Sequence, residues 1–375
     1  MKHSARITRL FGIDVYVHAT FPLLFVWIVA NGLRDGMSAE ALVATVMITL
    51  AVFVVVVLHE LGHAAAAARF GIRTADITLL PIGGLARLDS QPREPRQELL
   101  IAVAGPAVNV ALAAIFAVAL AASGRLDAIR ATASEGASLA PAAMLAQLVA
   151  VNLWLAAFNL LPAFPLDGGR ALRALLAIRS RDYVKATVSA SRVGRSFALL
   201  FGLLATFVLG SVFLAAVAVF VWVAGRNEAT TVRTAAALEG VPLEHLLLTD
   251  VRTLAPGDRL ARAARLTIDG FQQDFPVVED GIVVGMLTRD DLVRGLGERG
   301  HDATVESVMR RRYPLAAVDD PAESALERLD TMGTAALPVL RGVELAGFLT
   351  RENVDEFVTL RGADRSALDA LPRTC

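Results

Sequence analysis

The string VVVVLHELGHAAAA places His59, Glu60 and His63 inside a stretch, residues 40–68, that is otherwise almost wholly apolar. Crossing a hydrocarbon core of about 30 Å takes about 20 predominantly apolar residues, so this stretch reads as a membrane span. An ionisable group within a span costs on the order of 2.5–3.5 kcal/mol when it faces lipid without a partner, so three together point to function. His59 and His63 are four residues apart and share one helical face. With Glu60 beside the first histidine, the pattern is the H-E-x-x-H zinc arrangement. Catalytic zinc takes three protein ligands plus a water, whose pKa falls to about 7.

Composition extends this reading. The chain is 55% hydrophobic and 19% charged, against about 45–50% and about 25% in an average soluble domain. Of its charged residues, 30 lie in residues 1–225 and 43 in the last 150. This excludes a wholly soluble enzyme and a disordered chain. A net charge of −1 gives no electrostatic case for a nucleic-acid partner. The single cysteine, Cys375, excludes an intrachain disulfide and a thiolate metal site.

Further apolar stretches lie at 20–31 (extended back through Val15–His18), 97–122, 139–161 and 196–224. A secretory signal is the alternative for the first, but no A-x-A site follows it. The last is long for one span, and Gly210-Ser211 near its middle suggests a hairpin of two short segments. The expected fold is a polytopic α-helical membrane protein of about six segments. Basic residues flank alternate ends: Lys2, Arg6 and Arg9, then Arg69, Arg73, Arg87, Arg93 and Arg96, then Arg170 through Arg195. That places the N-terminus, the 69–96 loop and the 162–195 segment in the cytoplasm, and the hairpin returns the charged C-terminal part to the same side.

A third ligand is needed, and the best candidate is Asp167 in NLLPAFPLDGGR, just past the 139–161 span. In this topology spans two and four run in the same direction, which sets His59 and Asp167 at the same depth. Pro162 and Pro165 deny the backbone a regular helix, and Gly168-Gly169 allow close approach. The alternative for Asp167 is an N-cap of the helix that follows. Span three contributes Gly105, Pro106 and Asn109, the last expected to make an interhelical hydrogen bond.

Residues 59–63, with Asn159 through Asp167-Gly168-Gly169-Arg170, resemble the site-2 proteases, membrane-embedded zinc metalloproteases. LFGIDVYVHATF, LLPIGGLARL and AGPAVN are also similar to that family, and the resemblance covers residues 1 to about 225. It implies one Zn2+ held by His59, His63 and Asp167, with Glu60 as catalytic base and Asn159 contacting the substrate or the developing oxyanion. The familiar Asn-Pro-x-Pro string is here Asn159-Leu160-Leu161-Pro162. Residues 77–88 read as short strands around Gly83 and Gly84. In the family such a loop is thought to hold an unwound substrate as an added strand; an amphipathic re-entrant loop sealing the site is the alternative.

After a linker at 226–242, a repeat of about 60 residues appears: FPVVEDGIVVGMLTRDDLVRGL at 275–296 and LPVLRGVELAGFLTRENVDEFV at 337–358. Each copy reads as two strands and a helix with a further helix upstream. The pair resembles tandem CBS domains, the first repeat at 243–300 and the second at 301–360, with a tail at 361–375. The resemblance implies a cytosolic α/β module that binds an adenine nucleotide through Thr288 and Asp291, and less completely through Thr350, where Asn353 replaces the carboxylate. Helix N-capping is the alternative for both threonines, and a homodimer through the CBS domains is also implied.

The expected function is intramembrane zinc endopeptidase, modulated by the CBS pair. It would cleave within or beside the transmembrane helix of a single-pass membrane-bound regulatory protein, such as an anti-sigma factor, in the cell membrane. The alternative from another class is a CBS-regulated ion transporter, because buried His, Glu and Asp also line ion pathways.

Overall fold

The computed structural model describes residues 4–363 apart from 82, 91, 93, 132–137, 271 and 333–334. Lys2, Arg93, Cys375 and most of the 361–375 tail lie outside the described residues. The chain forms two compact units, Met1–Thr230 and Thr231–Cys375.

The first unit opens with β1 (Ser4–Leu10) and β2 (Ile13–His18). The Val15–His18 segment, expected as the start of a span, therefore belongs to a hairpin. Its β-branched and aromatic residues favour a pleated strand, and Phe11-Gly12, both at positive φ, turn the chain. Helix α1 (Phe21–Arg34) follows, with proline in its first turn where a missing N–H is tolerated. At 14 residues it rises about 21 Å, shorter than a full crossing. Helix α2 (Ala39–Ala68) is 30 residues long, and the Ser38 hydroxyl accepts a hydrogen bond from the Ala41 amide at its start.

Strands β3 (Thr74–Leu80) and β4 (Gly83–Leu88) complete a four-stranded sheet in the order β1-β2-β3-β4, with β2 and β3 parallel. Then come α3 (Pro95–Ala122), the short α4 (Asp127–Ala131), α5 (Pro141–Asn159), α6 (Asp167–Ser180), α7 (Tyr183–Phe207) and α8 (Val212–Leu238). Among the described residues, five helices, α2, α3, α5, α7 and α8, are long and apolar enough to cross a membrane. Alanine dominates the buried positions of this unit, including Ala44, Ala102, Ala146, Ala174 and Ala190, which lets helix backbones approach closely.

The 196–224 run is indeed broken near Gly210-Ser211, but not into short segments. Helices α7 and α8 have 25 and 27 residues because each takes in its charged flank. Residues 226–238, expected as a linker, continue α8.

The second unit begins with a 3-10 turn at Leu243–Leu246 and β5 (Leu247–Leu248), then α9 (Leu260–Ile268), β6 (Phe275–Glu279), β7 (Ile282–Leu287) and α10 (Arg289–Arg299). The second copy repeats the pattern with β8 (Ala316–Ala317), α11 (Ala322–Met332), β9 (Ala336–Arg341), β10 (Glu344–Thr350) and α12 (Arg351–Ala363). The sheet order is β6-β7-β10-β9-β8, with β5 paired to β10. Two cores result. Leu254, Leu260, Phe275, Leu287 and Leu292 fill one. In the other, Leu238, together with Leu243 and Leu246 at the start of the first copy, packs with Leu329, Leu337 and Leu349 of the second.

Candidate metal centre

Three elements converge on one point. Helix α2 carries His59 and His63, both 6% exposed, with their Nε2 atoms 3.0 Å apart. The Oδ2 atom of Asp167, the first residue of α6, lies 3.2 Å from each Nε2. Asp167 is not an N-cap, since Leu166 holds that position.

Asp167 arrives there through a tight reversal. Helix α5 ends at Asn159, and the chain folds back through hydrogen bonds from the Ala163 amide to Leu161 O and from the Leu166 amide to Ala163 O. A Cβ at Gly168 would stand 2.3 Å from the carbonyl oxygens of both Leu160 and Leu161. Only glycine lets the start of α6 lie so close to the end of α5.

Helix α3 forms the remaining wall with Ile101, Gly105 and Asn109, spaced four apart on one face. His63 Nδ1 donates to the Ile101 carbonyl at 2.7 Å, and His59 Nδ1 pairs with Asn109 Oδ1 at 3.2 Å. A carbonyl oxygen only accepts, so each imidazole carries a proton on Nδ1, and in the neutral rings both Nε2 lone pairs face the Asp167 carboxylate. Three acceptors then meet with no proton between them, an arrangement that a cation relieves. Donors about 3 Å apart suit an ion held at about 2.0–2.2 Å from each, and two imidazoles with one carboxylate make a donor set that suits zinc. Gly105 keeps the position clear: a Cβ there would stand 2.3 Å from His63 Nε2 and 2.6 Å from His59 Nε2.

Glu60 is outside the donor set. Its side chain packs on β4, where a Cβ at Gly84 would meet Glu60 Cγ at 2.9 Å, and the Ala86 amide faces its carboxylate. Gly83, at φ 142°, has open space on its Cβ side. β4 is an end strand of its sheet among the described residues, held to β3 by Arg87, whose Nε donates to Asp76 at 3.0 Å. The sequence reading missed Ile101 and Gly105 as parts of the site and left Asn109 without a named partner. The four-residue spacing of 101, 105 and 109 was the available signal.

In the second unit, Thr288 caps α10. Its hydroxyl accepts from the Asp291 amide at 3.3 Å and donates to Asp291 Oδ2 at 2.5 Å. Arg310 Nε and Arg294 Nη2 donate to the same carboxylate at 2.5 and 2.8 Å. Burial pushes the Asp291 carboxyl up, but the Arg310 and Thr288 hydrogen bonds outweigh it and hold it below the usual range. Thr350 accepts from the Asn353 amide at 3.2 Å, so both threonines act as caps. Thr288 lines a small recess of about 60 Å³ with Asp274, Arg310 and Tyr313. A larger cavity of about 310 Å³ is lined by Thr249, Val278 and Glu344 through Gly347. Thr350 lines neither.

Family models match Peptidase family M50 over residues 47–203, which include both histidines and Asp167, and the CBS domain over 243–298 and 305–359. A zinc metalloprotease of Methanocaldococcus jannaschii is 30% identical over 358 residues, covering 94% of this chain and 96% of the relative. The chain belongs to the site-2 protease family, peptidase family M50. This site-2 protease is also similar to the solved structure of the site-2 protease from M. jannaschii, with 32% identity and a TM-score of 0.43, covering 60% of this chain and 95% of that one. Stage IV sporulation protein FB of Bacillus subtilis is 31% identical over 199 residues, 52% of this chain and 59% of the relative. The protein is thus a multi-pass membrane zinc metalloprotease with a tandem CBS pair.

Proposed function

We propose that this site-2 protease is an intramembrane endopeptidase. Its substrate is a single-pass regulatory protein, cleaved within or beside its transmembrane helix so that the cytosolic portion is released. The observation that carries this is the buried convergence of His59, His63 and Asp167 among helices apolar enough to span a bilayer.

In this reading His59 Nε2, His63 Nε2 and an Asp167 oxygen hold one zinc ion per chain. When bound, zinc lowers the pKa of a water toward 7 and polarises a carbonyl. Glu60 takes the proton from the attacking water and passes it to the amide nitrogen as the C–N bond breaks. The Asn159 side-chain amide donates a hydrogen bond to the carbonyl oxygen as negative charge develops there. Gly83 and Gly84 leave room for an unwound substrate segment to lie along β4 as an added strand. The N-terminus and the CBS pair face the cytoplasm, where an adenine nucleotide at Thr288 and Asp291 modulates cleavage, and the CBS pair joins two copies.

Glu60→Gln tests the reading. Expressed in the same membranes as candidate single-pass substrates, it is expected to abolish cleavage while the purified protein keeps its zinc. Undiminished cleavage, or loss of zinc together with activity, would remove Glu60 from the role of proton carrier. Zinc-independent ion flux in liposomes would favour the transporter instead.

A further inference from the structure

We propose that Arg173 is a positioning residue for the Asp167 carboxylate and that it ties this carboxylate, through Glu228, to α8. The proposal rests on Asp167 being a zinc ligand. Arg173 lies six residues after Asp167 on α6, and its side chain is 3% exposed. Its Nε donates to Glu98 Oε1 of α3 at 2.8 Å, and its Nη1 makes a further ion pair with Glu228 of α8. The guanidinium also stands over two aromatic rings, with Cζ 5.0 Å from the centroid of Phe164 and 5.1 Å from that of Tyr183. Phe164 lies three residues before Asp167, so one guanidinium holds the chain on both sides of the carboxylate.

The same loop is braced by α7 and α8. Ala163 is fully buried with Ala198 and Val221. A Cβ at Gly194 of α7 would stand 2.8 Å from Ala163 Cα. Ser191 Oγ donates to the Gly225 carbonyl at 2.5 Å, joining α7 to α8.

Stability alone does not account for this cluster. Glu98, 3% exposed in its side chain, already neutralises Arg173, yet Glu228, 37% exposed, adds a second carboxylate. Buried ion pairs are often matched or exceeded in stability by apolar residues of equal volume. Helix α8 continues past Thr230 to Leu238. The helix that opens with the Asp167 carboxylate and the helix leading to the CBS pair therefore meet at one guanidinium, that of Arg173. Residues that orient a metal ligand typically change affinity 10–100-fold when altered.

The test uses the purified full-length protein and Glu228→Gln, which removes one charge and leaves the Arg173–Glu98 pair in place. Zinc affinity is measured by competition with a chromophoric chelator, thermal unfolding is followed after chelation, and kcat and KM are compared. The expected result is about tenfold weaker zinc binding and a lower kcat. KM and the unfolding midpoint of the metal-free protein should not change, and Glu228→Asp should recover most of the affinity. Unaltered zinc affinity would overturn the proposal. So would a metal-free midpoint lowered as far as the zinc-loaded one, because that is the mark of a purely structural pair. Wild-type protein that binds zinc no better than His59→Ala would overturn the metal-centre reading itself, and this proposal with it.

Discussion

At Gly105 the absence of a side chain is what leaves the metal position open. A methyl group there would occupy the space between the two Nε2 atoms. Gly105→Ala is therefore expected to abolish zinc binding and cleavage. The metal-free fold should also lose about 1–3 kcal/mol, because the methyl group overpacks a site filled by two buried imidazoles. Zinc analysis of the purified variant beside its unfolding midpoint checks both halves, and full zinc content would refute the assignment. His59, Glu60 and His63 were legible in the sequence because ionisable groups stand out in an apolar helix. Asp167 was legible through its depth and the prolines before it. Ile101 and Gly105 were not, since a backbone carbonyl and a missing methyl carry no chemical signature until α3 is packed against α2.

Helix α6 is fastened at two places, by Asp167 at its start and by Arg173 two turns on. Replacing Arg173 with methionine would keep much of the volume but leave Glu98 buried without its cation. Breaking a buried pair in this way costs about 3–5 kcal/mol. Arg173→Met is expected to lose stability on that order, read as a large drop in the thermal midpoint in detergent, and a drop no larger than that of Glu228→Gln would show that Glu98 does not depend on Arg173. Elements were legible in the sequence where hydropathy alone defines them, as in α2, α3 and α5. The hairpin of β1 and β2 was not, because Val15-Tyr16-Val17 merges by hydropathy with the apolar helix that follows. Helices α7 and α8 were read as short because their charged halves are helical yet look like loops to a hydropathy scan. Arg173 and Glu228 lie in such charged stretches, which is why their partnership could not be read from sequence.

At the scale of the whole chain, the proposed nucleotide site of the CBS pair would be the route by which cell chemistry reaches the protease. If an adenine nucleotide binds at Thr288 and Asp291, it displaces the contacts that Arg310 and Arg294 now make with that carboxylate. A nucleotide at one hundred times its Kd stabilises the state it binds by about 2.7 kcal/mol. Either AMP or ATP is expected to raise the unfolding midpoint of the full chain, and Asp291→Ala to diminish that rise. No change with either nucleotide would leave the pair as a ligand-free scaffold. The repeat itself was legible because both copies keep the same Gly-x-x-Thr-Arg ending. Its interleaving was not, since nothing in the order of residues reveals that β5 adds to β10. That interleaving has a practical consequence for anyone dissecting the protein. A break between residues 300 and 305 would strand β5 and the leucines at 238, 243 and 246 on the wrong fragment, so neither half would be a finished piece. The tandem has to be cut out, swapped or deleted whole.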